Sequence, residues 1–131
     1  EFIEKASRES VRDAYARAEA LLFCGIEDFG IVPVEAMAAG CPVVAFSQGG
    51  ALETVGERNS SVGGVLFDEC TVASLHKGVN RLKRLRGEGK MPRERLCAHA
   101  KQFDKSAFKT NFERELRGRG VLQEDNPSFP G

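Results

Sequence analysis

Three short apolar runs mark the first half of the chain, at residues 21–24, 42–46 and 65–67. Each is bounded by glycine, proline or polar residues and is too short for a helix, and the middle run contains β-branched valines. Runs of this kind predict strands that are buried on both faces of a parallel sheet. Segments with helical spacing lie between them, so the pattern predicts an α/β fold with a Rossmann-like parallel sheet and flanking helices.

The segment between the first two predicted strands carries signals for both ends of a helix. Gly30 permits a sharp turn, and Pro33 is tolerated in the first helical turn because its missing N–H needs no partner there. Gly40 followed by Pro42 is typical of a helix C-terminus. We therefore expect a helix from about Gly30 or Ile31 to Gly40, with its N-terminus at the carboxyl end of the first strand.

Four further helices and one helical turn, at residues 52–55, are predicted from the spacing of apolar positions. Ser7 or Ser10 can cap the first helix, and Thr71 can cap one whose apolar stripe we expect in the core. Another helix opens at Pro92. The four stripes are Val11, Ala14, Tyr15 and Ala18; Val72, Leu75, Val79 and Leu82; Leu96, Ala100 and Phe103; and Phe108, Phe112 and Leu116.

Two glutamates are the candidate chemical groups near the central helix. Glu27 lies in the loop before it, and Glu35 lies inside it among apolar residues. A carboxylate is costly to bury unless it has a compensating partner. With one glutamate near the helix start and the other a turn inside it, both side chains could project into one crevice at the sheet edge. Alternatively, Glu27 is a helix-start carboxylate and Glu35 is solvated. In either case, main-chain N–H groups of about residues 29–32 would face an anion in that crevice.

The stretch EDFGIVPVEAMAAGCPVVA, at residues 27–45, resembles the Glu-x7-Glu signature of the retaining GT-B glycosyltransferases of group 1, also called glycosyltransferase family 4. The segment GGALETV at residues 49–55 strengthens the resemblance, which extends more loosely over residues 7–112. Within that family, the chain looks most like the bacterial mannosyltransferase-type enzymes of polysaccharide biosynthesis. The resemblance implies the later part of the C-terminal, donor-binding domain of a GT-B fold.

The resemblance also implies roles for individual residues. Glu27 matches the catalytic residue near the donor sugar, which positions the donor or stabilises charge, and Glu35 matches the residue that hydrogen-bonds the ribose hydroxyls. The other implied donor-binding residues are Asp28, Phe29, Gly30, Ile31, Gly49, Gly50 and Ala51. Where the family usually has a Thr-Gly pair, this chain has Val62-Gly63-Gly64. That departure leaves open the contact that this loop often makes with the base.

Composition limits the other functions that the chain could have. It has 131 residues, of which 41% are hydrophobic, a size typical of one small domain. The sequence shows no signal peptide, no apolar run long enough for a membrane span, no P-loop and no metal-ligand spacing. We therefore expect a cytoplasmic domain without a metal or a tightly bound cofactor. Cys24 and Cys41 are expected to be buried, and His76 and His99 to lie on the surface.

The formal net charge is zero, but the charges are unevenly distributed. Residues 1–80 carry 6 basic and 12 acidic side chains, whereas residues 81–120 carry 13 basic and 5 acidic ones. The basic half is compatible with peripheral association at the inner face of a membrane, and equally with two solvated amphipathic helices. No aromatic residues are interleaved with basic ones in a recognised motif, so we expect no nucleic acid partner.

We expect residues 1–117 to form a partial nucleotide-sugar-binding domain, and residues 118–131 to form a disordered tail. The implied function is that of a glycosyltransferase fragment that binds a nucleotide-diphosphate sugar, with GDP-mannose favoured. In the full-length parent, the sugar would be transferred with retention to a glycan or lipid-linked acceptor.

The resemblance places the N-terminal acceptor domain, and an Arg and Lys pair that neutralises the leaving diphosphate, upstream of the matched region. The isolated chain is therefore expected to be inactive and could self-associate. One alternative is a non-catalytic nucleotide-sugar-binding or interaction domain on the same scaffold. Another is a Rossmann-like module with a different ligand.

Overall fold

A computed structural model describes residues 4–56 and 62–119. The chain divides into two compact units, residues 1–100 and residues 101–131. The elements in chain order are α1 (Arg8–Arg17), β1 (Leu21–Phe23), α2 (Ile31–Ala38), β2 (Val43–Phe46), α3 (Ala51–Thr54), β3 (Gly64–Phe67), α4 (Val72–Gly87), α5 (Arg93–Lys101) and α6 (Lys105–Gly118).

The first unit is built on three parallel strands in the order β1-β2-β3. Val43 of β2 pairs with Leu21 on one side and with Gly64 on the other. A Cβ on Gly64 would overlap the backbone of Val43, so these strands can approach here only because residue 64 lacks a side chain. The predicted α/β, Rossmann-like parallel sheet with flanking helices is confirmed.

Alternate residues of the central strand β2 belong to two different apolar clusters. Val43 and Ala45 pack with residues of α2 and α3, whereas Val44 and Phe46 pack with residues of β3 and α4. All four residues of β2 are buried. The strand is therefore covered on both faces, as predicted for this apolar run, and its carboxyl end is a fixed support for the loop that follows.

Helix α2 ends as its sequence predicts. Gly40 has a left-handed backbone (φ 79°), and its N–H donates to Met37 O at 2.9 Å. The next N–H, of Cys41, donates to Ala36 O, also at 2.9 Å, which completes a Schellman motif. Because this motif turns the chain directly into β2, the position of α2 is fixed relative to the sheet.

Three predictions about individual positions were wrong, and one ambiguity is resolved. Ser7, not Ser10, caps α1, because its hydroxyl accepts the Ser10 N–H at 3.1 Å. Cys24 is exposed because β1 already ends at Phe23. Val72 is 84% exposed at the first position of α4, a helix whose buried residues begin at Gly78. Phe103 lies beyond the end of α5, at Lys101, and so does not extend that helix's stripe.

The second unit contains α6, which is the predicted last helix. The Asp104 side chain caps it by accepting the Ala107 N–H at 2.7 Å. Phe108 and Phe112 stack with ring centroids 5.9 Å apart, and they are 65% and 48% exposed. The predicted apolar stripe is thus largely on the surface of this unit. Residues 120–131, which make up most of the predicted tail, lie outside the described residues.

Candidate functional site

The loops that follow β1 and β2 interlock at the carboxyl end of the sheet. The Gly50 N–H, in the second loop, donates to Glu27 O, in the first, at 2.6 Å. Gly49 has φ 61°, and a Cβ there would lie 2.5 Å from Glu27 O. A Cβ on Gly50 would overlap the Phe29 carbonyl group and lie 2.6 Å from Asp28 O. The two glycines therefore allow the predicted site loops to contact each other through their backbones.

The first loop ends at the N-terminus of α2, where Gly30 is the N-cap. Its backbone is left-handed (φ 77°, ψ 58°), and it has no side chain with which to cap the first turn. Phe29 and Ile31, on either side of it, are 45% and 59% exposed. A helix N-terminus carries partial positive charge from its N–H groups, which favours a bound anion. The N-terminus of α2 thus directly follows the first loop, and the binding of an anion by its N–H groups stays a prediction.

Hydrogen bonds from residues of α3 and α5 support the second loop. Thr54 Oγ1 is buried and donates to Gly50 O at 2.9 Å. His99 Nε2 lies 2.8 Å from Thr54 O, and since a carbonyl oxygen can only accept, the imidazole donates. The prediction that His99 is a surface residue was wrong, because it is partly buried against this main-chain oxygen. A chain of hydrogen bonds therefore joins α5 to the glycine loop and, through Gly50, to Glu27.

Glu35 lies on the side of α2 that faces α1, where it is solvent-exposed. It borders a cleft of about 560 Å³, and this arrangement matches the interpretation of Glu35 as a solvated carboxylate. Glu27 is also exposed, but it lies in the interlocked loop and not among the residues that line this cleft. Both glutamates are thus accessible to solvent, and the expectation that they project into one crevice stays a prediction.

Tyr15 of α1 lines the same cleft as Glu35. Burial raises the pKa of the Tyr15 phenol, and the negative charges of Glu35 and Cys41 raise it further. Arg8 and Arg12, two exposed residues of α1, line the same cleft. Together with Tyr15 they are spaced at i, i+4 and i+7, which places all three on one helix face. This spacing is the feature of the sequence from which their grouping could have been predicted.

In the part of the chain that the structure describes, no three His, Cys, Asp or Glu side chains converge on a point that could hold a metal ion. Nor do the helices found there include one with the length and apolar character needed to cross a bilayer.

The sequence matches known proteins over most of its length. A family model described as glycosyl transferases group 1 matches residues 1–103. The chain is also similar to the α-1,3/1,6-mannosyltransferase ALG2 of Saccharomyces cerevisiae, with 50% identity over 56 residues. That similarity covers 38% of this chain and 11% of the yeast protein, so the chain spans only a small part of that relative.

Proposed function

Because this chain belongs to the group 1 glycosyltransferases, with residues 1–103 matching the family model, we propose that it forms the donor-binding part of a retaining GT-B enzyme. Its substrate in this proposal is a nucleotide-diphosphate sugar. The parent enzyme transfers the sugar, with retained anomeric configuration, to a glycan or lipid-linked acceptor held by an N-terminal domain.

The observation that carries this proposal is the interlock of Glu27 with Gly49 and Gly50 beside the N-terminus of α2. It brings a carboxylate-bearing loop, a glycine loop and uncapped helix N–H groups to the carboxyl end of parallel strands, where ligands of such sheets bind. A diphosphate has the charge that a helix N-terminus favours. A sugar attached to it would then lie near Glu27.

We assign the residues of this site as follows. Glu27 stabilises charge at the reaction centre or positions the donor sugar, and Glu35 hydrogen-bonds the ribose hydroxyls. Backbone N–H groups of the first loop bind the diphosphate, and the glycine loop lines the pocket. The donor-binding residues are Asp28, Phe29, Gly30, Ile31, Glu35, Gly49, Gly50 and Ala51. No metal and no tightly bound cofactor take part in this assignment.

We favour GDP-mannose as the donor, because the yeast protein that is identical to this chain at half of the aligned positions is a mannosyltransferase. We place the reaction at the cytoplasmic face of a membrane if the acceptor is lipid-linked. The alternative is a non-catalytic nucleotide-sugar-binding domain. The presence of both glutamates together with the DFGI segment favours the catalytic origin of the scaffold.

Calorimetric titration of the chain with GDP and GDP-mannose tests the donor site. Glu35→Gln keeps an acceptor oxygen but loses the charge, which weakens a hydrogen bond to ribose by about 1–1.5 kcal/mol, so the variant should bind GDP about five- to tenfold more weakly. Glu94→Gln, on the exposed surface of α5, is the matched control and should bind normally. Absence of binding by a folded chain, or an unchanged affinity of the Glu35 variant, would contradict the proposed site.

The catalytic part of the proposal needs a separate experiment with the longer parent enzyme. We expect NMR to show the anomeric configuration of the donor in the product, and Glu27→Gln to reduce turnover more than it reduces donor affinity. Inverted configuration would refute the retaining mechanism. Binding without any turnover by the parent would favour the non-catalytic alternative.

A further inference from the structure

The cleft between α1 and α2 has the properties of a small-molecule pocket. Its volume of about 560 Å³ is typical of such pockets, and its lining combines small apolar residues with two arginines, one tyrosine and one glutamate. The lining residues are Ala6, Arg8, Val11, Arg12, Tyr15, Glu35, Ala38 and Ala39. None of the loop residues of the donor site is among them.

Helix α2 connects this cleft to the anion-facing loop and sets the distance between them. At 1.5 Å per residue, Glu35 lies about 6 Å along the helix axis from Ile31, and Ala39 lies about 12 Å from it. This is the length scale of a nucleoside monophosphate. A ligand with its phosphates at the N-terminus of α2 and its ribose at Glu35 would therefore extend its base along α2 into the cleft.

We propose that the cleft is the base pocket of the donor and that Arg8 and Arg12 make it select guanine. This inference rests on the proposed function, because it assumes that a nucleotide occupies the neighbouring loop. Guanine presents two adjacent acceptors, O6 and N7, which match the paired N–H donors of a guanidinium group. Adenine presents a donor beside its N7 acceptor, and arginine cannot accept a hydrogen bond. Uracil lacks N7 altogether.

Tyr15 contributes the apolar surface of this pocket. Tyr15 lines the cleft together with the arginines and Glu35, and a base can stack on an aromatic ring whatever its identity. Burial raises the pKa of its phenol above an ordinary value that already keeps the side chain neutral at physiological pH. Tyr15 therefore supports binding of any base, whereas the two arginines supply the preference among bases.

The experiment is a titration of the 131-residue chain with GDP, ADP and UDP, repeated with Arg8→Met/Arg12→Met. The double variant keeps the apolar stems but removes the donors. A bidentate contact discriminates between bases by about five- to a hundredfold, so the wild-type chain should prefer GDP by about that factor and the variant should lose the preference. Arg8→Lys/Arg12→Lys, whose ammonium groups can still donate to O6 and N7, should keep part of the preference. Arg17→Met, on α1 but outside the cleft, should retain it.

The outcomes separate this inference from the function on which it rests. If no nucleotide binds a chain whose circular dichroism shows that it is folded, the donor site and the base pocket are both refuted. If nucleotides bind in a Glu35-dependent manner but without preference for GDP, only guanine selection is refuted. The same conclusion follows if the double Met variant keeps the wild-type preference.

Discussion

Gly50→Ala is the substitution that most directly tests the interlock of the two site loops. Gly50 has a right-handed helical backbone (φ −62°, ψ −17°), which alanine adopts without strain. The added Cβ would nevertheless overlap the Phe29 carbonyl group. Since the obstructing atoms are backbone and not the tip of a flexible side chain, the first loop must move away from the second. The expected damage is therefore steric and local to the site.

The size of the effect follows from three contributions. Overpacking a tight contact costs about 1–3 kcal/mol. Weakening the hydrogen bond between the Gly50 N–H and Glu27 O adds about 0.5–1.5 kcal/mol. Replacing glycine by alanine restricts the unfolded chain, which returns about 0.4–1 kcal/mol. We expect Gly50→Ala to lower the free energy of unfolding by about 2 kcal/mol.

Thermal unfolding followed by circular dichroism measures this change, with Gly87→Ala as the matched control. A Cβ on Gly87 at the end of α4 would meet no atom within 4 Å, so that variant should gain stability. For a unit of about 100 residues, Gly50→Ala should lower Tm by about 8–16 °C, whereas Gly87→Ala should raise it by a few degrees. If both variants raise Tm, the loops are not held in contact as described, and the reasoning is refuted.

Three further predictions concern groups outside the loops. His99→Leu should lower the free energy of unfolding by about 1–2 kcal/mol because Thr54 O loses its donor, and urea unfolding should show a smaller loss for His99→Gln, which retains an N–H. Burial raises the pKa of the Cys41 thiol, so the free energy of unfolding should fall as pH rises from the ordinary thiol pKa through the raised one. Thermal melts at several alkaline pH values should show a weaker pH dependence for Cys41→Ala. The hydrogen bond from the Ala107 N–H lowers the pKa of Asp104. The stabilisation that the ionised Asp104 gives to α6 should therefore be present above the ordinary aspartate pKa and be lost as pH falls through the lowered one. Asp104→Ala should abolish that acid dependence of the helical signal.

The sequence was sufficient wherever structure depends on neighbours along the chain. Gly40 and Pro42 end α2 through backbone bonds that span only a few residues, so the helix boundary was predictable. The unbroken apolar run of β2 similarly indicated a strand that is covered on both faces. The glycine loop was predicted to face the crevice because it leaves the carboxyl end of β2, and its place along the donor pocket is what the family resemblance implies.

The sequence failed where a contact joins distant residues that have no distinctive pattern. The partner of His99 is the main-chain oxygen of Thr54, and every residue has such an oxygen. The exposure of Cys24 depends on where pairing with β2 stops, which the apolar run does not mark. The grouping of Arg8 and Arg12 with Glu35 required the packing of α1 beside α2, which no spacing within either helix predicts.

The interlock between Glu27 and Gly50 also bears on how the site forms during folding. The two residues are only 23 positions apart (27 to 50), and β1, α2, β2 and α3 between residues 21 and 54 follow one another without interruption. Contacts over such short separations require little loop-closure entropy and favour rapid formation. The loops can therefore reach their final arrangement before α4 and α5 dock. The hydrogen bond from His99 of α5 to Thr54 O would then be added after this segment has formed.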